Sequence, residues 1–292
     1  MKKRLASVFL AALLLLLSGC AAAEGKLLVT ATFYPLYVAA LNITRGVEGV
    51  EVRCMAPAQA GCLHDYQLTT EDRRTLSDSD VIIHNGAGLE GFLDKLLPIL
   101  SANAVEASEG IALLPGGHED EENAHVWVSI TGMIAQVENI ARGLSRADPD
   151  HAELYAQNAA DYVARLEALH QEMREALAPF GGMPIVTFHE AFDYFAADFD
   201  LVIAAVVELD HGSAPSAKEL ANVVAIIKEQ NVCALFAEPQ YEDTSVDILS
   251  RETGVPVYLL DPAVSGVVEP EAYDAYMDVM RQNMVTLVEA LS

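Results

Sequence analysis

Two α/β lobes with mainly parallel sheets, joined by one long backbone helix, follow from three observations in this chain. From Asp148 to Leu177 the residues Tyr155, Ala159, Tyr162, Leu166, Leu169, Met173 and Leu177 recur at helical spacing. On both sides of that stretch, short apolar runs alternate with amphipathic ones, the pattern of parallel sheets covered by helices. In each half, histidines follow predicted strands.

The long helix has Asp148 as a good N-cap residue and Pro149 at a tolerant first position. It is expected to run for roughly 30 residues, about 45 Å, and to end at Gly181-Gly182. The lobes are accordingly residues 26–147 and 181–292, with 148–180 as the linking helix.

Residues 1–19 belong to neither lobe. Lys2, Lys3 and Arg4 precede an apolar run from Leu5 to Leu17, and Leu17-Ser18-Gly19-Cys20 closes it with small residues before a cysteine. This reads as an export signal, too short for a spanning helix. The tetrapeptide resembles a bacterial lipobox, which implies cleavage before Cys20, a lipid on its thiol and a tether over residues 20–25. An ordinary signal peptide with an incidental cysteine is the alternative.

The whole chain of 292 residues carries a formal net charge of -26, and removal of the signal leaves 14 basic against 43 acidic side chains. Such an excess of carboxylate argues against nucleic acid, whose phosphates are bound by lysine and arginine. It suits attraction of cations, as well as a merely soluble acidic surface. Outside the cytoplasm, Cys54 and Cys62 are expected to pair across their short loop, contributing roughly 2–3 kcal/mol. Reduced buried thiols, or Cys62 as a metal ligand, are the other readings. Cys233, at the start of an apolar run, reads as a small core residue.

In the first lobe, strands are expected over Lys26–Phe33, Val50–Met55 and Val81–His84, with weaker ones around Val105 and over Ile111–Leu114. Helices are expected over Pro35–Arg45, after the capping residues Thr69 to Asp72, over Leu89–Leu100 and over Ser129–Ser145. A loop from Ala56 to Tyr66 carries His64, and an acidic loop from Gly116 to Asn123 leads into Ala124-His125-Val126-Trp127. The second lobe alternates strands Pro184–Phe188, Leu201–Leu209, Cys233–Ala237 and Val255–Leu260 with helices Ala191–Ala197, Ser216–Glu229 and Thr244–Thr253. A terminal helix starts from Pro270. The halves share this pattern without a convincing sequence repeat.

In open α/β sheets, ligands bind beyond the carboxyl ends of the strands. Four metal-type residues sit at such positions: His64 and His125 in the first lobe, His189 and Asp261 in the second. An ion shared by them would bridge the interlobe cleft. Singly each is weak, since a histidine after a strand is more often a hydrogen-bonded loop residue and Asp261-Pro262 is an ordinary turn.

The surrounding stretches occur in one fixed order: Gly61-Cys62-Leu63-His64-Asp65-Tyr66, Ala124-His125-Val126-Trp127, Phe188-His189-Glu190-Ala191-Phe192-Asp193-Tyr194-Phe195, Phe236-Ala237-Glu238-Pro239-Gln240 and Leu259-Leu260-Asp261-Pro262. Together they resemble the metal-binding lipoproteins, the solute-binding components, of bacterial zinc and manganese ABC importers, over essentially the whole mature chain. That resemblance implies His64, His125, His189 and Asp261 as metal ligands. Two departures stand out. The family's Asp-Pro-His and Tyr-x-Pro are here Cys62-Leu63-His64 and Tyr66-Gln67-Leu68, and the His-rich insertion of many zinc members is reduced to His118 amid four acidic residues.

Three imidazoles and one carboxylate suit tetrahedral zinc, whereas manganese prefers more oxygen ligands. The family's third position is commonly His in zinc carriers and Glu in manganese carriers, and His189 falls on the zinc side. Glu238 is a candidate for orienting a ligand histidine or for a rival fourth ligand, with a plain strand-end carboxylate as the bland reading. His211, after Asp210, is a weaker alternative ligand beside a capped turn, and His84 ranks with it. His151 and His170 are expected to face solvent from the long helix, and Trp127 to pack.

The function implied by the resemblance is capture of Zn2+ and its delivery to an ABC permease, by a lipid-anchored monomer at the outer face of the cytoplasmic membrane. Its alternatives are a manganese carrier, a surface adhesin, and a zinc hydrolase using Glu190 or Glu238 as base. The chain has no His-Glu-x-x-His or Gly-x-Ser-x-Gly signature, which argues against an enzyme. A long connecting helix should limit hinge bending between the lobes.

Overall fold

The computed structural model describes residues 26–57, 61, 63–64, 66–117, 121–207, 215–239 and 244–292. The first sheet comprises β1 (Leu27–Ala31), β2 (Val50–Cys54), β3 (Val81–His84) and β4 (Asn103–Glu106), all parallel in the order β2-β1-β3-β4. Its central strands are apolar because both faces are covered: Val29, Ala31, Val81, Ile82 and Ile83 are fully buried. The helices of this lobe are α1 (Tyr34–Ile43), α2 (Thr70–Ser77) and α3 (Ile130–Ala147). A reciprocal capping box between Thr69 and Asp72 starts α2.

The linking helix, α4 (Ala152–Leu177), buries all seven residues whose spacing predicts it. Its start differs from expectation. Pro149–His151 forms a 3-10 turn, and the Asp148 carboxylate, instead of capping backbone, accepts from the Tyr155 hydroxyl at 2.7 Å and meets His151 Nδ1 at 2.7 Å.

Beyond it, β5 (Pro184–Thr187), α5 (Asp193–Asp198), β6 (Val202–Val206), α6 (Ala217–Gln230), β7 (Leu235–Ala237), α7 (Thr244–Thr253), β8 (Val257–Leu259) and α8 (Ala275–Leu291) follow. The second sheet is again parallel, in the order β6-β5-β7-β8. The two sheets thus share one strand order although their sequences show no repeat. One hydrophobic cluster runs continuously from the first lobe through α4 into α8, and a smaller one lies between β5, β7 and helices α6 and α7.

Several expectations are corrected. The Leu89–Leu100 stretch forms two 3-10 turns, Gly91–Leu93 and Leu97–Ile99, because Gly91 is a poor helix former and Pro98 lacks an N–H. Ile111–Leu114 is not a strand; it leads into an isolated bridge between Pro115 and Glu122. Cys233 is exposed, since its neighbours Val232 and Ala234 turn inward at 4% and 0% exposure. His170 is half-buried beside the Phe199 ring, its Nε2 3.9 Å from Asp198 Oδ2, while His151 is the more open of the two.

The terminal helix begins at Ala275 and not Pro270. The chain before it forms an irregular strap laid over α1. Tyr34 Oη donates to Val267 O at 3.3 Å, Tyr37 Oη to Glu269 O at 3.1 Å, and Asn42 Nδ2 to Tyr273 O at 2.9 Å. This cover explains why every residue of α1 is buried.

Candidate metal centre

His64 lies in the loop between β2 and α2, immediately after the fully buried Leu63. The chain turns there, with Tyr66 N donating to Leu63 O at 3.0 Å, and the Tyr66 hydroxyl fastens the exit by donating to Asp72 Oδ2 at 3.0 Å. The same carboxylate closes the capping box, so the start of α2 and the end of the His64 loop share one anchor.

His125 precedes the 3-10 turn Val126–Val128 that leads into α3, and is 1% exposed. Asn123 holds it twice: Asn123 Oδ1 accepts from the His125 backbone N–H at 2.9 Å and lies 2.9 Å from His125 Nδ1. The Asn123 amide nitrogen is spent on Glu190 O and Asp193 Oδ2, both at 2.9 Å. Its oxygen is therefore the acceptor, the proton resides on His125 Nδ1, and the lone pair is on Nε2.

His189 follows β5 in an extended conformation and is 6% exposed. Phe192 and Phe195 anchor the following turn in the core, and the Tyr194 hydroxyl donates to Asn123 O at 2.8 Å while accepting from Leu114 N at 2.9 Å. The aromatic spacing after His189 thereby ties the second lobe to the acidic loop of the first.

The three histidines converge. His125 Nε2 and His189 Nε2 are 3.0 Å apart, with ring centroids at 4.7 Å, and the His64 and His125 rings are 5.3 Å apart. Among the described residues, the ligand atoms that lie within 4.8 Å of one another belong to His64, His125 and Glu190. His189 and Asp261 are both outside that group, His189 reaching it only through its contact with His125. The Asp261 backbone is gripped by the buried Asn283 amide, through Asp261 N to Asn283 Oδ1 at 2.9 Å and Asn283 Nδ2 to Asp261 O at 2.7 Å. Asp261 Oδ1 accepts from Ala263 N at 2.8 Å, and burial pushes the carboxyl above its ordinary value. The adjacent Pro262 carbonyl accepts from Trp127 Nε1 at 2.9 Å, two residues after His125. Trp127 itself is fully buried and packs edge-on against Phe33.

Glu238 is buried at the end of β7. His84 is half-buried, with burial lowering its pKa, and is not in the ligand group. Cys20, Cys62, His118 and His211 lie outside the described residues, as does any Cys54–Cys62 pairing. Cys54 carries a thiol whose Sγ is 3.3 Å from Ala56 O, and burial pushes it up to about 12.

A cavity of about 430 Å³ opens beside His64, lined by His64, Ala87, Gly88, Glu121, Glu122 and Glu190. Among the described residues, three carboxylates and no lysine or arginine line it, so its field draws in cations. Sequence reasoning placed Glu190 only as a possible base and gave Asn123 no role. Their signal was adjacency: Glu190 follows His189, and Asn123 stands two residues before His125.

The sequence model of one family, described as zinc-uptake complex component A, periplasmic (ZnuA), matches residues 29–290. The zinc-binding lipoprotein AdcA of Streptococcus pneumoniae serotype 4 is 30% identical over 282 residues, covering 91% of this chain and 56% of that protein. The chain thus spans little more than half the length of this relative. The high-affinity zinc uptake system protein ZnuA of Bacillus subtilis is 28% identical over 292 residues, 94% of this chain and 90% of that protein. Among solved structures, the solute-binding protein FpvC of Pseudomonas aeruginosa in complex with Ni2+ superposes with a TM-score of 0.80 at 30% identity, covering 91% of this chain and 97% of that one.

Proposed function

Because the chain belongs to the ZnuA family of solute-binding components of bacterial zinc ABC importers, we propose that it captures Zn2+ outside the cytoplasm and delivers it to an ABC permease. The observation that carries this reading is the meeting of imidazoles from both lobes, with His125 Nε2 3.0 Å from His189 Nε2. In this reading His64, His125 and His189 supply three nitrogens and the Asp261 carboxylate the fourth ligand. That donor set favours zinc over manganese. Glu238 is a carboxylate for orienting one of these ligands.

The resting protein prepares for the ion with its own side chains. Asn123 keeps His125 in one tautomer, with its lone pair towards the cleft, which removes a reorientation cost at binding. Entry of a cation separates the His125 and His189 nitrogens: the proton that His189 Nε2 shares with the His125 lone pair is released to solvent or moves to His189 Nδ1, and both Nε2 atoms are then available to the metal. Tethering through a lipid on Cys20 would keep the monomer beside its permease at the outer face of the cytoplasmic membrane.

Competitive titration of Zn2+ and Mn2+ against the parent and His189→Ala tests the reading. Zinc should bind more tightly than manganese, and the variant should lose zinc affinity by about 100-fold or more, since a metal-bound group is worth more than the outer partners that cost 10–100-fold. Undiminished zinc binding in His189→Ala would move the site elsewhere.

A further inference from the structure

Glu190 is the carboxylate that the fold, and not the sequence order of the four expected ligands, brings to the histidines. One ligand atom from each of His64, His125 and Glu190 lies within 4.8 Å of the others. Donor atoms around a tetrahedral ion with bonds of about 2.0–2.2 Å lie roughly 3.3–3.6 Å apart, so small side-chain movements close the set on a metal. Glu190 also lines the acidic cavity together with His64, Glu121 and Glu122, whereas neither His125 nor His189 is among the cavity residues. An arriving cation therefore meets Glu190 and His64 first, and the buried His125 and His189 after them.

The Glu190 side chain is already held in place. Its Oε2 accepts from Gly117 N at 2.7 Å, and its backbone carbonyl accepts from Asn123 Nδ2 at 2.9 Å. A carboxylate accepts at both oxygens, so ligation by one oxygen is compatible with the Gly117 bond.

We propose that Glu190 is an entry ligand: with His64 and His125 it forms an outer coordination position at the base of the acidic cavity, from which zinc moves inward by exchanging Glu190 for His189. His64 and His125 stay bound throughout, so the transfer breaks one metal–ligand bond while forming another and leaves the ion partly coordinated. The proposal rests on the zinc-carrier reading and adds to it a second position and an order of ligand exchange.

The test uses the purified full chain, with competitive Zn2+ titration and Co2+ absorption as the coordination probe. His189→Ala disables the inner position and should leave weaker binding of one ion by His64, His125 and Glu190. Adding Glu190→Gln in that background should weaken the remaining binding by about tenfold or more and alter the Co2+ spectrum. Glu190→Asp, which keeps the charge but shortens the reach, should fall with Glu190→Gln if ligation matters. In the otherwise intact chain, Glu190→Gln should slow zinc association at high salt as well as low, whereas the loss from Glu121→Gln with Glu122→Gln should fade as salt screens it. Equal zinc affinity of His189→Ala and the His189→Ala, Glu190→Gln double variant, with matching thermal melts, overturns the outer position alone. Absence of zinc binding by the parent overturns the carrier reading with it.

Discussion

Glu90 shows how a single buried group shapes the wall of the site without touching the histidines. Fully enclosed in the first lobe, it accepts from Thr32 Oγ1 at 2.7 Å, Asn85 N at 2.8 Å and Gly86 N at 3.1 Å. These bonds fix the turn whose next residues, Ala87 and Gly88, line the cavity. Burial nevertheless outweighs them and lifts the carboxyl from 4.5 to about 7. Between those values the folded chain retains a proton that the unfolded chain has released. Its contribution to stability is therefore complete below about pH 4.5 and declines as pH rises towards 7, by roughly 1–3 kcal/mol. Glu90→Gln, with nothing to titrate, should show a smaller difference in urea midpoint between pH 5 and pH 8 than the parent. Identical pH dependence in the two proteins would assign the slope to other groups.

At the scale of elements, periodicity succeeded where burial on one face decides the structure and failed where local backbone chemistry decides it. The seven apolar residues of α4 were legible because a long helix repeats one contact many times. Leu89–Leu100 has an equally apolar composition but breaks at Gly91 and Pro98, and the 3-10 turns follow those residues. Of the three histidines only His189 closely follows a strand, and His64 and His125 were legible from the residues around them, whereas the Glu190 contact to Gly117 joins residues 73 apart and has no local signature. A local steric demand sits at the start of α3. Gly132 lies so close to the turn after His125 that an added Cβ would stand 2.1 Å from Val126 O. Gly132→Ala should therefore push the Val126–Val128 turn away from α3, costing about 1–3 kcal/mol and weakening zinc binding through the displaced His125. Urea unfolding and zinc titration of the variant check both effects; loss of stability with intact affinity would show that His125 is held by Asn123 alone.

For the whole molecule, the link between lobes is broader than the helix that announces it. The hydrophobic cluster is continuous through α4 into α8, Tyr276 Oη donates to Trp127 O at 2.8 Å, and the strap before α8 is bonded along α1. A wide rotation of one lobe would expose part of that core and break these bonds together, so opening of the cleft should proceed through local movement around it. Gly266 marks the tightest point of the strap: a Cβ there would lie 2.2 Å from Tyr34 Cζ, and Tyr34 is only 4% exposed and cannot swing aside. Gly266→Ala should lift the strap from α1, lowering stability by about 1–3 kcal/mol and raising amide hydrogen exchange along Tyr34–Ile43. Because the strap begins at Asp261 and Pro262, beside Trp127, its loosening should also speed zinc dissociation. A variant with faster exchange on α1 but unchanged zinc dissociation would separate the clamp between lobes from the site, and would place control of release in the loops around His64 and Glu190 instead.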